Sequence, residues 1–229
     1  MLKPIVSPIS GKTEVEVLAR QGSDKAVYTI KQDAVSEITE KKSRFISYAI
    51  KTETEKDALA ELEKIKSKYP DATHHVYAYV VNDQGVVYHR YSDDREPSGT
   101  AGLPTLDVLK KGNIENVLLV TVRYFGGTLL GTGGLTRTYG LSAKKAVKQA
   151  GLVKRVDCAV FTLTADYSSY EKIKRLLDEC VVMDTEFREL VPVRFAVEDL
   201  KAEERIGRMN ELLNNRCVIE RKNNIVLEI

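Results

Sequence analysis

The chain has 229 residues, 43% of them hydrophobic and 30% charged, with a formal net charge of +2. That is apolar material for one large core or two ordinary ones, and a charge balance too even to announce nucleic acid, so any basic footprint must be local. No apolar run approaches the roughly 20 residues of a membrane span, the first ten residues lack the continuous apolar core of a secretory leader, and Cys158, Cys180 and Cys217 show no C-x-x-C spacing. The expectation is a cytoplasmic protein with ordinary buried thiols, no metal site and no membrane attachment.

Residues 1–26 read as an extension of unknown role, with a possible short strand over 14–19 between Gly11 and Gly22. Tyr28 to Lys31, Ala34 to Ile38 and Arg44 to Ile50 are predicted strands, the last preceded by the basic turn Lys41-Lys42-Ser43. Thr54 with Asp57 forms a capping pattern ahead of Ala58, Leu59, Leu62, Ile65 and Tyr69 at helical spacing, which predicts an amphipathic helix up to Pro70. His74 to Val81 and Val86 to Tyr91 predict a hairpin about a four-residue loop, Asn82 to Gly85. That register opposes Ala78 to His89, Val80 to Val87 and, extended, His74 to Asp93. A short helix over Thr105 to Lys111 closed by Gly112, a buried central strand over Val117 to Tyr124 and a helix over Leu135 to Ala150 stopped by Gly151 follow.

From Arg155 the pattern becomes compact. A strand over Val156 to Thr164, a helix capped by Ser168 with Glu171, strands over Val181 to Glu189 and Val191 to Val197, a helix over Asp199 to Asn214 and a last strand within Cys217 to Ile229 give β-α-β-β-α-β, the split βαβ order of a ferredoxin-like fold. The predicted layout is therefore α+β in two domains, 27–152 and 153–229.

Chemistry concentrates in two clusters flanking the central strand. Gly126, Gly127, Gly131, Gly133 and Gly134 sit between a strand and a helix start, where free N–H groups and the helix dipole suit an anion. The P-loop spacing is present but Thr132 stands where its lysine belongs, and Thr136 replaces the third glycine of a dinucleotide loop. Tight turns and close packing explain the glycines equally well. Arg123, Tyr124, Phe125 and Arg137 beside them are what a phosphate backbone with stackable bases requires, and Arg137, Lys144 and Lys148 share one helix face. A solvated basic face is the plainer alternative. The other cluster sets Asp93, Asp94 and Glu96 before Ser98 and Thr100; with His74 across the hairpin it admits a weak hydrolase or metal reading, but Ser98 lacks the G-x-S-x-G elbow.

These residues also carry a family resemblance. KKSRFI at Lys41 to Ile46, DATHHVYAYV at Asp71 to Val80, DDREPSGTAGLPTLDVL from Asp93 and VTVRYFGGTLLGTGGLTRTYG up to Gly140 together resemble the YigZ/Impact family from about Tyr28 to the end. The resemblance implies a first domain like the ribosomal protein S-five domain-two fold, shared with elongation factor G domain four and small-molecule kinases. It implies a second domain like the ferredoxin-like fifth domain of elongation factor G. Eukaryotic relatives regulate translation by binding an activator of the kinase for initiation factor 2 through a different N-terminal domain, which this chain lacks. The function expected is a translation-associated factor, without a cofactor and more a binder than an enzyme. Its partner would be RNA, the ribosome or a ribosome-bound protein, met through Asp94, Glu96, Ser98, Thr100, Arg123, Tyr124, Phe125, Gly126, Gly127, Gly131, Arg137 and Lys144. The alternative is a phosphotransferase using the glycine loops, with Asp94 or Glu96 for Mg²⁺ or proton transfer.

Overall fold

The computed structural model describes residues 16–19, 26–83 and 85–229, which divide into two compact units between Lys154 and Arg155. The first unit is built on a six-stranded antiparallel sheet of β1 (Glu16–Ala19), β3 (Ala34–Glu40), β4 (Ser43–Lys51), β5 (His74–Asp83), β6 (Val86–Ser92) and β7 (Val117–Tyr124), in the order β1-β6-β5-β7-β4-β3. A short strand β2 (Val27–Ile30) lies outside that order. The possible strand near the start is thus found at 16–19, paired along β6; the rest of that extension lies outside the described residues.

β7 sits between β5 and β4, and seven of its eight residues are buried, which is why its apolar run does not alternate with polar residues. Val117 and Leu119 face one core with Leu106 and Leu109 of α2 (Gly102–Gly112) and Ala143, Ala146 and Val147 of α3 (Thr132–Ala150). Leu118, Val120 and Val122 face the other, under Ala58, Leu62 and Ile65 of α1 (Glu55–Lys68). α1 starts where its capping pattern places it, with the Thr54 hydroxyl accepting from the Asp57 N–H at 3.1 Å. A buried chain of hydroxyls, Thr121 to Ser47 to Ser142 at 2.6 Å each, ties β7, β4 and α3 together.

Three expectations are corrected. The β5–β6 ladder pairs Val80 with His89 and runs on to Asp83 opposite Val86, so the loop is two residues long and the register is shifted by two from the expected one. A shift of two keeps every side chain on its face, so the sequence pattern could not detect it. α2 begins at Gly102 and includes Gly112; its end is Asn113 in the left-handed region (φ 50°), a conformation asparagine tolerates better than most residues.

The second unit contains β8 (Leu152–Ala165, which begins just before the division), α4 (Tyr167–Leu177), β9 (Val181–Thr185), β10 (Val191–Glu198), α5 (Ala202–Leu212) and β11 (Ile219–Glu228). Its strands pair antiparallel in the order β11-β8-β10-β9, the fourth, first, third and second of the β-α-β-β-α-β run. Phe161, Leu163, Val193 and Phe195 of one sheet face pack with Ile173 and Leu177 of α4 and Met209 of α5. The third correction falls here: α4 is capped by Asp166, whose carboxylate accepts from the Ser169 N–H at 2.7 Å, and not by Ser168.

Candidate functional site

The loop from Asp93 to Gly102 is folded by its own carboxylates. Asp93 accepts from the N–H groups of Gly99 (2.8 Å), Ala101 (2.9 Å) and Gly102 (2.7 Å), placing negative charge on the start of α2, whose N-cap residue Ala101 makes no side-chain bond of its own. The neighbouring Asp94 accepts from the His75 N–H at 2.6 Å, and the Thr100 hydroxyl donates to the Pro97 carbonyl at 2.6 Å. Glu96 turns inward. Its Oε1 accepts from Arg123 Nη1 at 2.5 Å and from the Tyr139 hydroxyl at 2.7 Å, joining loop, β7 and α3.

Both charges of that pair are out of water, the side chains 5% and 4% exposed. The Arg123 guanidinium lies over the rings of Phe45 and Phe125, at 5.3 and 5.6 Å from their centroids, and Phe45 meets Tyr139 edge-on at 5.2 Å. Burial, with the Glu96 charge beside it, pushes the Tyr139 phenol far above its ordinary pKa, so it stays a donor. His74 Nε2 stands 3.7 Å from the same carboxylate while Nδ1 is 2.8 Å from the Asp94 carbonyl, which only accepts, so Nδ1 carries the proton.

This arrangement brings the two clusters together and corrects what they were expected to do. Arg123 is a tie inside the unit and not a surface phosphate ligand, and Glu96 and Thr100 are buried with it. His74 faces Asp94 and Glu96 instead of Asp93, while Ser98 is exposed. The carboxylates of Asp94 and Glu96, intended for Mg²⁺ in the phosphotransferase reading, are engaged by protein donors.

The second cluster faces outward. Tyr124 donates to Asp71 at 2.9 Å and the Phe125 N–H to Thr73 at 3.1 Å, leaving the Phe125 ring 45% exposed above Arg123. Gly126 donates to Ser43 Oγ at 3.1 Å and lies so close to the turn joining β3 to β4 that a Cβ there would stand 2.0 Å from the Lys42 carbonyl carbon. That turn holds Lys41 (φ 45°) and Lys42 (φ 66°) both left-handed and exposed. Gly127 and Gly131 are also left-handed, in open space, and Leu129 between them is 81% exposed. Arg137 and Lys41, with Glu40, Leu130 and Leu141, line a cavity of about 270 Å³. Lys144 lines a different one of about 520 Å³ with Leu103, Pro104 and Asp107. The signal missed for Lys41 and Lys42 was available: two lysines at the tip of a tight hairpin are costly to the turn and displayed by it.

An α+β protein of two units, the first displaying a basic helix and an exposed aromatic loop over a buried ion-pair tie, is the class defined by fold and geometry. Residues 41–147 match the Impact N-terminal domain. IMPACT family member YvyE of Bacillus subtilis is 36% identical over 195 residues, 84% of this chain and 89% of the relative. IMPACT family member YigZ of Escherichia coli is 35% identical over 167 residues, 72% of this chain and 82% of the relative. A crystal structure described as that of a hypothetical protein superposes at a TM-score of 0.53 with 29% identity, over 86% of this chain and 98% of the other. The chain belongs to the IMPACT family.

Proposed function

We propose that this IMPACT family member is a non-catalytic, translation-associated factor of the cytoplasm, docking through its first unit on RNA, the ribosome or a ribosome-bound protein. One observation carries the reading. α3 presents Arg137, Lys144, Lys145 and Lys148 on its exposed face and contains no carboxylate, and among the described residues none of the four is in an ion pair. Cations left unpaired together form a local positive field in a chain of nearly neutral charge, which steers an anionic partner. Lys41, Lys42 and the Phe125 ring extend that field toward a base-stacking or apolar contact. Family membership supports the translation setting. We read residues 27–152 as the Impact-type unit with the ribosomal protein S-five domain-two fold and 153–229 as ferredoxin-like, the fourth-first-third-second strand order supporting the latter.

The test is co-sedimentation with ribosomes, and filter retention of a uridine dodecamer, across a salt series. Retention should fall steeply with salt and drop further in a Lys42→Glu, Arg137→Glu double variant. Retention indifferent to salt and to both charges would defeat the proposal.

A further inference from the structure

The outer edge of β3 and the exposed face of α3 enclose a groove whose α3 wall carries Arg137, Lys145 and Lys148 of the docking surface above and whose other wall that surface does not use. β3 ends the sheet order, so alternate N–H and C=O groups along its seven residues face away from β4, and among the described residues no strand pairs with them. Ala34 to Glu40 has no lysine, no proline and no bulge in its pairing with β4, and its only charged side chains are Glu37 and Glu40. Val35 at this edge is 43% exposed. A cavity of about 500 Å³ opens there between Val35, Ser36 and Glu37 on one wall and Lys145, Lys148 and Gln149 of α3 on the other. Toward the other end of β3 lies the cavity of about 270 Å³ holding Lys41 and Arg137, and between the two Ser36 Oγ donates to the Ser142 carbonyl at 3.4 Å.

The charges of this groove are unequal. Glu37 is already neutralised, its two carboxylate oxygens accepting from Arg44 at 2.7 and 2.8 Å, and the residues paired across from Ser47 and Phe45 show that Ser36 and Ile38 face α3 while Glu37 faces away. Among the described residues lining the groove, Glu40 is the one acid left on the α3 side, against Lys41, Arg137, Lys145 and Lys148.

We propose that the groove takes an extended acidic segment of a protein partner, added as a further strand to β3 with its carboxylates toward α3. An open strand edge is matched by the backbone of another extended chain, which a nucleic acid does not possess, and this favours a peptide over RNA here. Spacing agrees. Arg137 and Lys145 are about 12 Å apart along a helix rising ~1.5 Å per residue, and acids at i and i+4 of a strand are about 13 Å apart on one face. The inference rests on the same α3 cations as the docking reading, Arg137, Lys145 and Lys148, and goes beyond it in what the edge of β3 adds: a backbone partner rather than a phosphate chain.

Fluorescence anisotropy with the full chain tests it, using a fluorescein-labelled decapeptide of alternating glutamate and threonine. The acidic peptide should bind, its counterpart with lysine for glutamate should not, and Lys145→Glu with Lys148→Glu should weaken binding at least tenfold. Because alternate N–H groups of an added strand point to its partner, N-methylation of one alternate set should abolish binding and of the other set should leave it intact. Equal binding of the lysine peptide, indifference to charge reversal, equal tolerance of both N-methylated sets, or no binding of the acidic peptide would overturn the proposal. A uridine dodecamer in the same assay separates the two readings: RNA binding without peptide binding refutes the strand-addition site alone. Displacement of the peptide by RNA with both N-methylated forms still bound would reassign the groove to nucleic acid and overturn it too.

Discussion

Arg123 and Arg137 stand at opposite ends of one glycine-rich turn and meet opposite fates. Arg123 is the last buried residue of a strand covered on both faces, and its guanidinium is closed between two aromatic rings and held by Glu96. Arg137 is on the second turn of α3, exposed, with Leu135 and Tyr139 on the same helix taking the buried positions. The lesson is that exposure, not residue type, decides whether a basic residue beside glycines is available to a partner. What the first arginine supplies is rigidity: it ties the acidic loop to β7 and, through the shared Glu96 oxygen, to α3.

The strongest way to break that contrast is to remove Glu96. Glu96→Ala strands a buried guanidinium and should cost about 3–5 kcal/mol, the range for halving a buried ion pair. Replacing both partners with apolar residues, Glu96→Leu with Arg123→Met, should cost less than the single change, because no charge is left unpaired. Urea unfolding midpoints decide it; a double variant weaker than Glu96→Ala would show that the pair contributes more than mutual neutralisation.

Next in size are the glycines. At Gly126 a methyl group meets the Lys42 carbonyl carbon and oxygen at 2.0 and 2.2 Å, backbone atoms that cannot step aside, so Gly126→Ala should cost about 3 kcal/mol, the upper end for overpacking. Gly127, left-handed at φ 80° with nothing within 4 Å, should cost only the conformational strain of about 1–2 kcal/mol when changed to alanine. Equal losses at the two sites would contradict the account of Gly126 as a contact between two turns.

Much of this frame was legible. The apolar and β-branched run of β7, the capping pattern at Thr54 and the alternation after Arg155 each reflect a local rule, and each is found in the structure. What was hidden depends on partners distant in sequence. Glu96 and Arg123 are 27 positions apart and meet only because of how the loop after β6 closes, which in turn rests on Asp93 gathering three N–H groups. The hairpin register was hidden for another reason, since a slip of two leaves the hydrophobic pattern unchanged. Exposure of Arg137 was legible from helical spacing; burial of Arg123 had no local signal apart from its place at the end of an apolar strand.

A smaller effect sharpens the contrast from the exposed side. Arg137→Ala should change stability by no more than about 0.5 kcal/mol, as expected for a surface site without a partner, while lowering the salt slope of ribosome or oligonucleotide retention by about one if the side chain meets a phosphate. Chemical denaturation and retention measured on one preparation give both values. A stability loss comparable to that of Glu96→Ala would place Arg137 among the internal ties and erase the distinction between the two arginines.

The smallest effect concerns a carboxylate exposed as Arg137 is, yet structural as Glu96 is. Asp166 caps α4, and the N–H groups it accepts, Ser169 first, hold its carboxyl below the ordinary value of 3.8. A carboxyl depressed in the folded state contributes stability above its unfolded value, and that contribution is lost as the pH falls through the folded one. Asp166→Asn keeps an acceptor at the cap but removes the charge, so the variant should melt slightly below the parent at pH 7 and the gap should close as the pH falls below the unfolded value and through the depressed folded one. Thermal midpoints along that series decide the matter: a gap that does not change with pH would mean that the cap works through geometry alone and that its charge, unlike the one buried at Glu96, is dispensable.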